Sequence, residues 1–187
     1  LNFSTTIGRY SVDQPIFPRT GSNIELTVSV TPPYSLLNNK NYAQLSIEEK
    51  YKWVEYHKWK FKAEWFIPVG NKLVLKTTAK MGAMGYFNRD IGYSPFERFE
   101  IGGDGMTNYS IYGKDVISLR GYETLTSNSV KRSDGGNVFV GDPFFAKYNL
   151  ELRFPISLNP STTIYALSFL EAGNSWSNFT EYNPFNL

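Results

Sequence analysis

Lys58-Trp59-Lys60-Phe61-Lys62-Ala63-Glu64-Trp65-Phe66-Ile67 alternates with a period of two. Trp59, Phe61, Ala63, Trp65 and Ile67 fall on one face, and Lys58, Lys60, Lys62 and Glu64 on the other, because successive side chains of a strand point to opposite sides. Pro68-Val69-Gly70-Asn71 reads as a tight turn, and the chain then pairs back. Leu73, Leu75, Thr77, Ala79, Met81 and Ala83 share one face; Lys72, Lys76, Thr78 and Lys80 share the other, with Val74 as the exception. The hairpin has roughly 14 residues per arm, against ~5–6 in an ordinary strand. Length, a large apolar face and a charged opposite face are what a strand crossing a membrane in a barrel requires, with lipid on one side and a watery lumen on the other. A soluble lipocalin-like barrel or sandwich also alternates, but it would bury the face that here carries lysine. Trp59 and Trp65 suit the aromatic girdles at membrane interfaces. His57 has the parity of Trp59 and Phe61, which makes it interfacial rather than catalytic.

Working outward, Ile24, Leu26, Val28 and Val30 alternate with Glu25, Thr27 and Ser29, and residues 5–12 form a weaker strand before the Pro15 to Gly21 turn. Pro32-Pro33 closes the second strand. Residues 34–52 read as polar loop, in which Ser46-Ile47-Glu48-Glu49 has capping-box spacing and Ile47, Tyr51 and Val54 have helical spacing. Residues 88–145 contain no convincing strand but many glycines. Loops beyond ~12–15 residues are uncommon unless functional or disordered. Alternation resumes with Tyr148, Leu150, Leu152 and Phe154 against Lys147, Asn149, Glu151 and Arg153; residues 155–161 read as a turn and 162–173 as a last strand. Six strands joined alternately by short turns and long loops show the asymmetry of an outer-membrane barrel. Since the smallest such barrels have ~8 strands, the chain is expected to be part of a larger wall. The starting Leu1 and the loop-like Asn183-Pro184-Phe185-Asn186-Leu187 fit that expectation.

The composition agrees. Aromatic residues make up 17% of 187 residues, yet mean hydropathy is only -0.34, as expected when half of each strand and all long loops are wet. No run approaches the ~18 apolar residues of a spanning helix. The absence of Cys excludes disulfides and thiolate metal sites, and the single His excludes a His-rich metal centre. A net charge of +2 gives no electrostatic reason to expect nucleic acid. Gly102-Gly103-Asp104-Gly105 lacks the Lys-Ser/Thr of a phosphate loop and the ligand spacing of an EF-hand, so it reads as a turn. Glu48-Glu49 and Glu97/Glu100 read as solvated loop charges. No convergent nucleophile–base set is visible, so no enzyme, cofactor or metal is expected.

Four motifs lie in a telling order. They are Val12-Asp13-Gln14-Pro15-Ile16-Phe17-Pro18-Arg19-Thr20-Gly21; Pro95-Phe96-Glu97-Arg98-Phe99-Glu100-Ile101-Gly102-Gly103 leading to Leu119-Arg120-Gly121-Tyr122; Glu151-Leu152-Arg153-Phe154-Pro155; and Phe169-Leu170-Glu171-Ala172-Gly173-Asn174-Ser175-Trp176. Together they resemble the outer-membrane protein assembly family typified by BamA, with its "VRGF/LRGY" signature on the sixth extracellular loop. The resemblance spans nearly the whole chain. It implies an all-β fold: a partial antiparallel transmembrane β-barrel, about six of sixteen strands, near the eighth to thirteenth. Residues 1–187 would be barrel domain, incomplete at both ends, and 88–145 the long extracellular loop entering the lumen.

The resemblance further implies a latch. Arg120, flanked by Leu119, Gly121 and Tyr122, pairs with Glu151 and Glu171 on the inner wall, and Phe96, Phe99, Gly102 and Gly103 support the loop. Arg offers a planar fork suited to two carboxylates, and Gly121 permits a close approach or a positive φ. Residues 104–118 form an insertion longer than the family pattern. Glu171 shares parity with Tyr165, Leu167 and Phe169, so a lumen-facing Glu171 brings three apolar side chains with it unless a bulge shifts the register.

The implied function is folding and inserting β-barrel proteins into the bacterial outer membrane, without ATP. The family works through a seam between first and last strands, outside this chain, that templates client strands. Implied partners are outer-membrane lipid, unfolded outer-membrane protein clients and accessory assembly lipoproteins. A two-partner-secretion or TamA-type translocation barrel is the alternative within the superfamily. A soluble β-barrel binding module is the alternative outside it.

Overall fold

The computed structural model describes residues 1–38, 40–103, 115–121, 129–131, 137–139, 141–159, 161–183 and 185. Among the described residues ten strands follow in chain order: β1 (Phe3–Val12), β2 (Gly21–Val30), β3 (His57–Val69), β4 (Leu73–Gly85), β5 (Phe99–Ile101), β6 (Asp115–Ile117), β7 (Ser129–Lys131), β8 (Asn137–Phe139), β9 (Phe144–Asn159) and β10 (Thr162–Trp176). Two four-residue helices, α1 (Tyr34–Leu37) and α2 (Ile47–Lys50), lie between β2 and β3. Ser46 caps α2, its Oγ accepting from the Glu49 N–H at 3.3 Å. Among the described residues no helix is long and apolar enough to cross a membrane.

The long strands form one six-stranded antiparallel sheet in the order β1-β2-β3-β4-β9-β10. Its register makes the two faces explicit. Lys60 lies opposite Gly82 and Thr27, and Lys62 opposite Lys80 and Glu25. Lys80 in turn faces Lys147, Lys76 faces Glu151, and Glu171 faces Asn149. These side chains share the inner face. The outer face carries Trp59, Trp65, Leu150, Leu152 and Phe154, all solvent-exposed in this chain, as lipid-facing side chains must be. β3 and β4 have 13 residues each. At ~3.3 Å per residue and a tilt of ~35–45°, each spans roughly 30 Å along the membrane normal, enough for the apolar core.

The expected hairpin is confirmed, with strand ends longer than the punctuation suggested. β3 includes Pro68 and Val69, and β9 includes 155–159, where a turn was expected. The reason is a bulge. Tyr165 faces Pro155 while Ile164 faces Ser157, so Ile156 of β9 is the extra, unpaired residue and Pro155 sits beside the bulge, where a sheet tolerates proline. The 88–145 segment, expected to lack strands, contains β5 to β8, each of three residues. Three residues are too few to show a period.

At the short-turn end the β1–β2 connection folds inward. The Asp13 carboxylate accepts from the backbone N–H of Arg19 and Thr20 at 2.9 and 3.2 Å, and Arg19 Nη2 donates to the Asn71 carbonyl at 2.6 Å. Phe17 is thereby buried against Phe66 and Val74 and lies 5.3 Å, centroid to centroid, from Tyr165 of β10. This explains why Val74 breaks the polar alternation of β4: its inner face is closed by Phe17 rather than by water.

Gly21 makes that turn possible. It has φ +107°, and a Cβ there would lie 1.9 Å from the Ser11 carbonyl oxygen. Gly70, at φ +63°, has open space around the same position. Gly70→Ala is therefore expected to cost only the left-handed penalty of roughly 1–2 kcal/mol. Gly21→Ala is expected to cost distinctly more, because backbone must move. Urea unfolding midpoints of the refolded barrel in detergent, read by heat-modifiable electrophoresis, check the order; equal midpoints would contradict it.

Candidate functional site

Of the long segment between β4 and β9, the described residues around 97–101 and 115–120 lie on the inner face of the sheet. β5 and β6 pair in parallel, Phe99 opposite Asp115 and Ile101 opposite Ile117. Phe99 also exchanges both backbone hydrogen bonds with Asp142, at 2.9 and 2.8 Å, just before β9 begins. Apolar burial drives the seating: Phe99, Ile101 and Leu119 have no solvent exposure and pack with Tyr56, Met84 and Phe145. Each such side chain contributes about 1.5–3 kcal/mol when fully buried. Gly82 lies beneath Phe99 and Phe145, and a side chain there would meet the Phe145 ring at 2.2 Å.

Charge then fixes the position. Lys58 of β3, itself buried, places Nζ 2.6 Å from Asp115 Oδ2 and 3.6 Å from Glu97 Oε2; it donates to the Glu97 carbonyl at 2.6 Å and lies 4.8 Å from the Phe99 ring centre. Lys60 Nζ is 3.3 Å from the same Asp115 oxygen. On the other side Lys147 donates to the Ser118 carbonyl at 2.5 Å and pairs with Glu171 at 3.2 Å. Glu171 Oε2 accepts the backbone N–H of Arg120 at 3.2 Å, and the Arg120 guanidinium stacks 4.4 Å from the Phe169 ring centre.

The expected site residues are thus distributed as follows. Arg120 reaches Glu171 through its main chain, while its guanidinium takes the Phe169 face. Glu171 lies on the inner wall together with Tyr165, Leu167 and Phe169, and the bulge lies below Tyr165, outside this stretch. Glu151 is engaged by Arg153 at 2.5 Å and by Asn149 at 3.2 Å. Leu119 is buried. Gly121 has φ +87° with open space around it, so conformation rather than close approach demands glycine. Gly102 and Gly103 have φ +135° and +80°, and the Gly102 N–H donates to the Ile117 carbonyl at 3.0 Å. Phe99 is in the core while Phe96 is exposed. Tyr122 lies outside the described residues. The sequence reading missed Lys58, Asp115 and Lys147 as partners of the segment. The lysines were visible only as members of a polar face, and Asp115 fell within the supposed insertion.

The protonation of the Asp115 carboxyl reflects this setting. Burial acts to raise it, but hydrogen bonding to Lys58 and the charges of Lys58 and Lys60 outweigh burial and hold it below the usual carboxylate range. Burial, with Glu97 and Asp115 nearby, pushes the Tyr56 hydroxyl up to about 12.

An antiparallel sheet with an apolar, lipid-facing exterior and a charged interior, on which described parts of a connecting segment are seated, defines part of an outer-membrane β-barrel. The chain belongs to the Omp85 superfamily, whose domain pattern matches residues 1–186. The family and fold place it in the bacterial outer membrane. Among solved structures it is similar to a crystal structure of BamA from Haemophilus ducreyi lacking POTRA domains 1-3. The two are 19% identical over 94% of this chain, with a TM-score of 0.64. This chain spans 30% of the length of that protein. No curated protein matches the sequence.

Two outcomes test this geometry. Lys147 and Glu171 have side chains only 8% and 7% exposed. Removing one partner of a buried pair costs ~3–5 kcal/mol, so Lys147→Met or Glu171→Gln should lower the urea midpoint, and a double-mutant cycle should show coupling between them. Because the Asp115 carboxyl is depressed, its contribution is present above the unfolded value of ~3.9 and is lost as pH falls through the lower folded value. Hydroxyl-radical footprinting of Leu119 should therefore stay protected from neutral pH down to about pH 4 and lose protection only below it.

Proposed function

We propose that this chain forms part of the barrel of an insertase that folds β-barrel proteins and inserts them into the bacterial outer membrane. The observation that carries this reading is the segment ending in Leu119-Arg120-Gly121, which carries the family signature and is seated on the inner wall at Glu171 and Phe169. Superfamily membership and the likeness to BamA support the same reading. The clients are unfolded outer-membrane proteins, and accessory assembly lipoproteins are the further partners. No step of this reading requires catalysis or a cofactor. Residues 88–145 act as the extracellular loop that turns into the lumen, and Arg120 acts as its latch, with Gly121 setting the turn and Glu151 supporting the charged wall beside Glu171.

A seated loop braces the barrel interior while strands elsewhere exchange hydrogen bonds with a client. Work of this kind needs a wall that holds its shape, and the Arg120 contacts to β10, beside the Lys147 contact to Ser118 from β9, supply that stiffness. Arg120→Ala keeps every lipid-facing residue, so the protein should still reach the membrane. Client assembly should fall several-fold, read as folded client porin in cells depleted of the native protein. Normal assembly in that strain would reject the latch. Assembly of one secreted substrate only, with general barrel insertion unaffected, would favour the translocation type.

A further inference from the structure

The Lys58 contacts are made from β3, a different part of the wall from the β9 and β10 side chains that meet Ser118 and Arg120. Lys58 is 3% exposed, on β3, and makes four contacts with three residues of the long segment, Glu97, Phe99 and Asp115. Glu97 and Phe99 belong to the limb entering β5, and Asp115 begins the limb of β6. The two limbs are themselves joined, with the Asp115 N–H donating to the Arg98 carbonyl at 3.2 Å. A single buried ammonium thus touches both strands of a parallel pair at the point where they meet the barrel wall.

The backbone is bent to meet it. Glu97 has φ +65°, and no other non-glycine described residue has a positive φ. That conformation is disfavoured for a residue with a Cβ. It persists here where the Glu97 carbonyl accepts from Lys58 at 2.6 Å. Strained residues survive only where surroundings over-determine them. Lys58, unlike an exposed lysine, gives up its water, so its three donors need this set of acceptors.

We infer that Lys58 and Asp115 form a second fastening of the lumen-entering segment, independent of Arg120, with Asp115 as its positioning residue. Lys58 grips both limbs against β3, while Lys147 and Glu171 grip the signature end against β9 and β10. The segment is then held at two separate places on the wall, and release of the Arg120 end alone leaves the β5–β6 pair seated. The inference rests on the reading of this segment as the lumen loop, but its test reads seating directly and not client assembly, so the two can fail separately.

The chain has no cysteine, so Ile101→Cys in the full-length protein places a single thiol in the β5–β6 pair at a fully buried position. In outer-membrane vesicles at neutral pH, maleimide labelling of that thiol reports unseating. Asp115→Asn is expected to raise the labelling rate about tenfold or more, with the barrel still protease-resistant. Asp115→Glu should restore most of the protection, which mere loss of packing would not allow. The increase should multiply with that of Arg120→Ala if the two fastenings are independent. An unchanged rate in Asp115→Asn, or full release by Arg120→Ala alone, would overturn the inference. If Asp115→Asn does not fold, Lys60→Gln removes the milder, more exposed partner of the same carboxylate. A two- to threefold rise there supports the fastening, and no rise rejects it.

Discussion

In a lipid bilayer a strand has no water with which to satisfy its backbone, so every N–H and C=O must find another strand. Most of this molecule follows from that requirement. Pairing all six strands fixes the register, and the register fixes which side chains meet lipid. A slip of one residue would exchange the faces, putting Lys58, Lys60 and Lys62 into hydrocarbon and Trp59, Phe61 and Trp65 into the lumen. The penalty for that exchange is why alternation is strict along β3 and relaxed in β1. Arg9 of β1 carries charge on the outer parity, opposite Ile24. Its long stem can carry the guanidinium to the interface beside the turn.

The inner face has its own electrostatic constraint. Lys58, Lys60, Lys62, Lys76, Lys80, Lys147 and Arg153 share it with fewer carboxylates: Glu25, Glu64, Glu151 and Glu171. Lys62, Lys80 and Lys147 even lie side by side on adjacent strands, an arrangement that opposes pairing. A wall with this excess attracts negative groups from the chain that lies on it. Asp115, Glu97 and the carbonyls of residues 97 and 118 are what the long segment presents. Apolar burial of Phe99, Ile101 and Leu119 supplies most of the adhesion, and the charges choose where it happens.

The strand pattern was legible in the sequence because β3, β4, β9 and β10 each run beyond ten residues, long enough for a period of two to show. The polar lumen was legible from its lysines. The seat of the long segment was not. Its strands have three residues each, and its contacts join Lys58 to Asp115 and Lys147 to Ser118, separations that no local period encodes. Arg120 could be placed through its motif, yet the division of labour between its N–H and its guanidinium depends on the angle at which the segment crosses β10. Pro155 misled because proline usually marks a strand end. Here it sits at a bulge, which only the partner strand reveals.

The three apolar side chains that share the parity of Glu171 looked out of place in a wet lumen, and the structure gives two of them work. Tyr165 packs against Phe17 from the β1–β2 turn and lies 5.7 Å from the Arg153 guanidinium; Phe169 lies under Arg120. The inner face of β10 therefore receives two inward-reaching pieces, the turn at one end and the signature at the other. A guanidinium binds an aromatic face well because it is planar and weakly hydrated. Its placement on Phe169 leaves the Glu171 carboxylate free for Lys147 and for the Arg120 N–H together. One strand can thus hold the signature by two different interactions, and this is why its face mixes a carboxylate with aromatic rings instead of repeating the lysine pattern of β3.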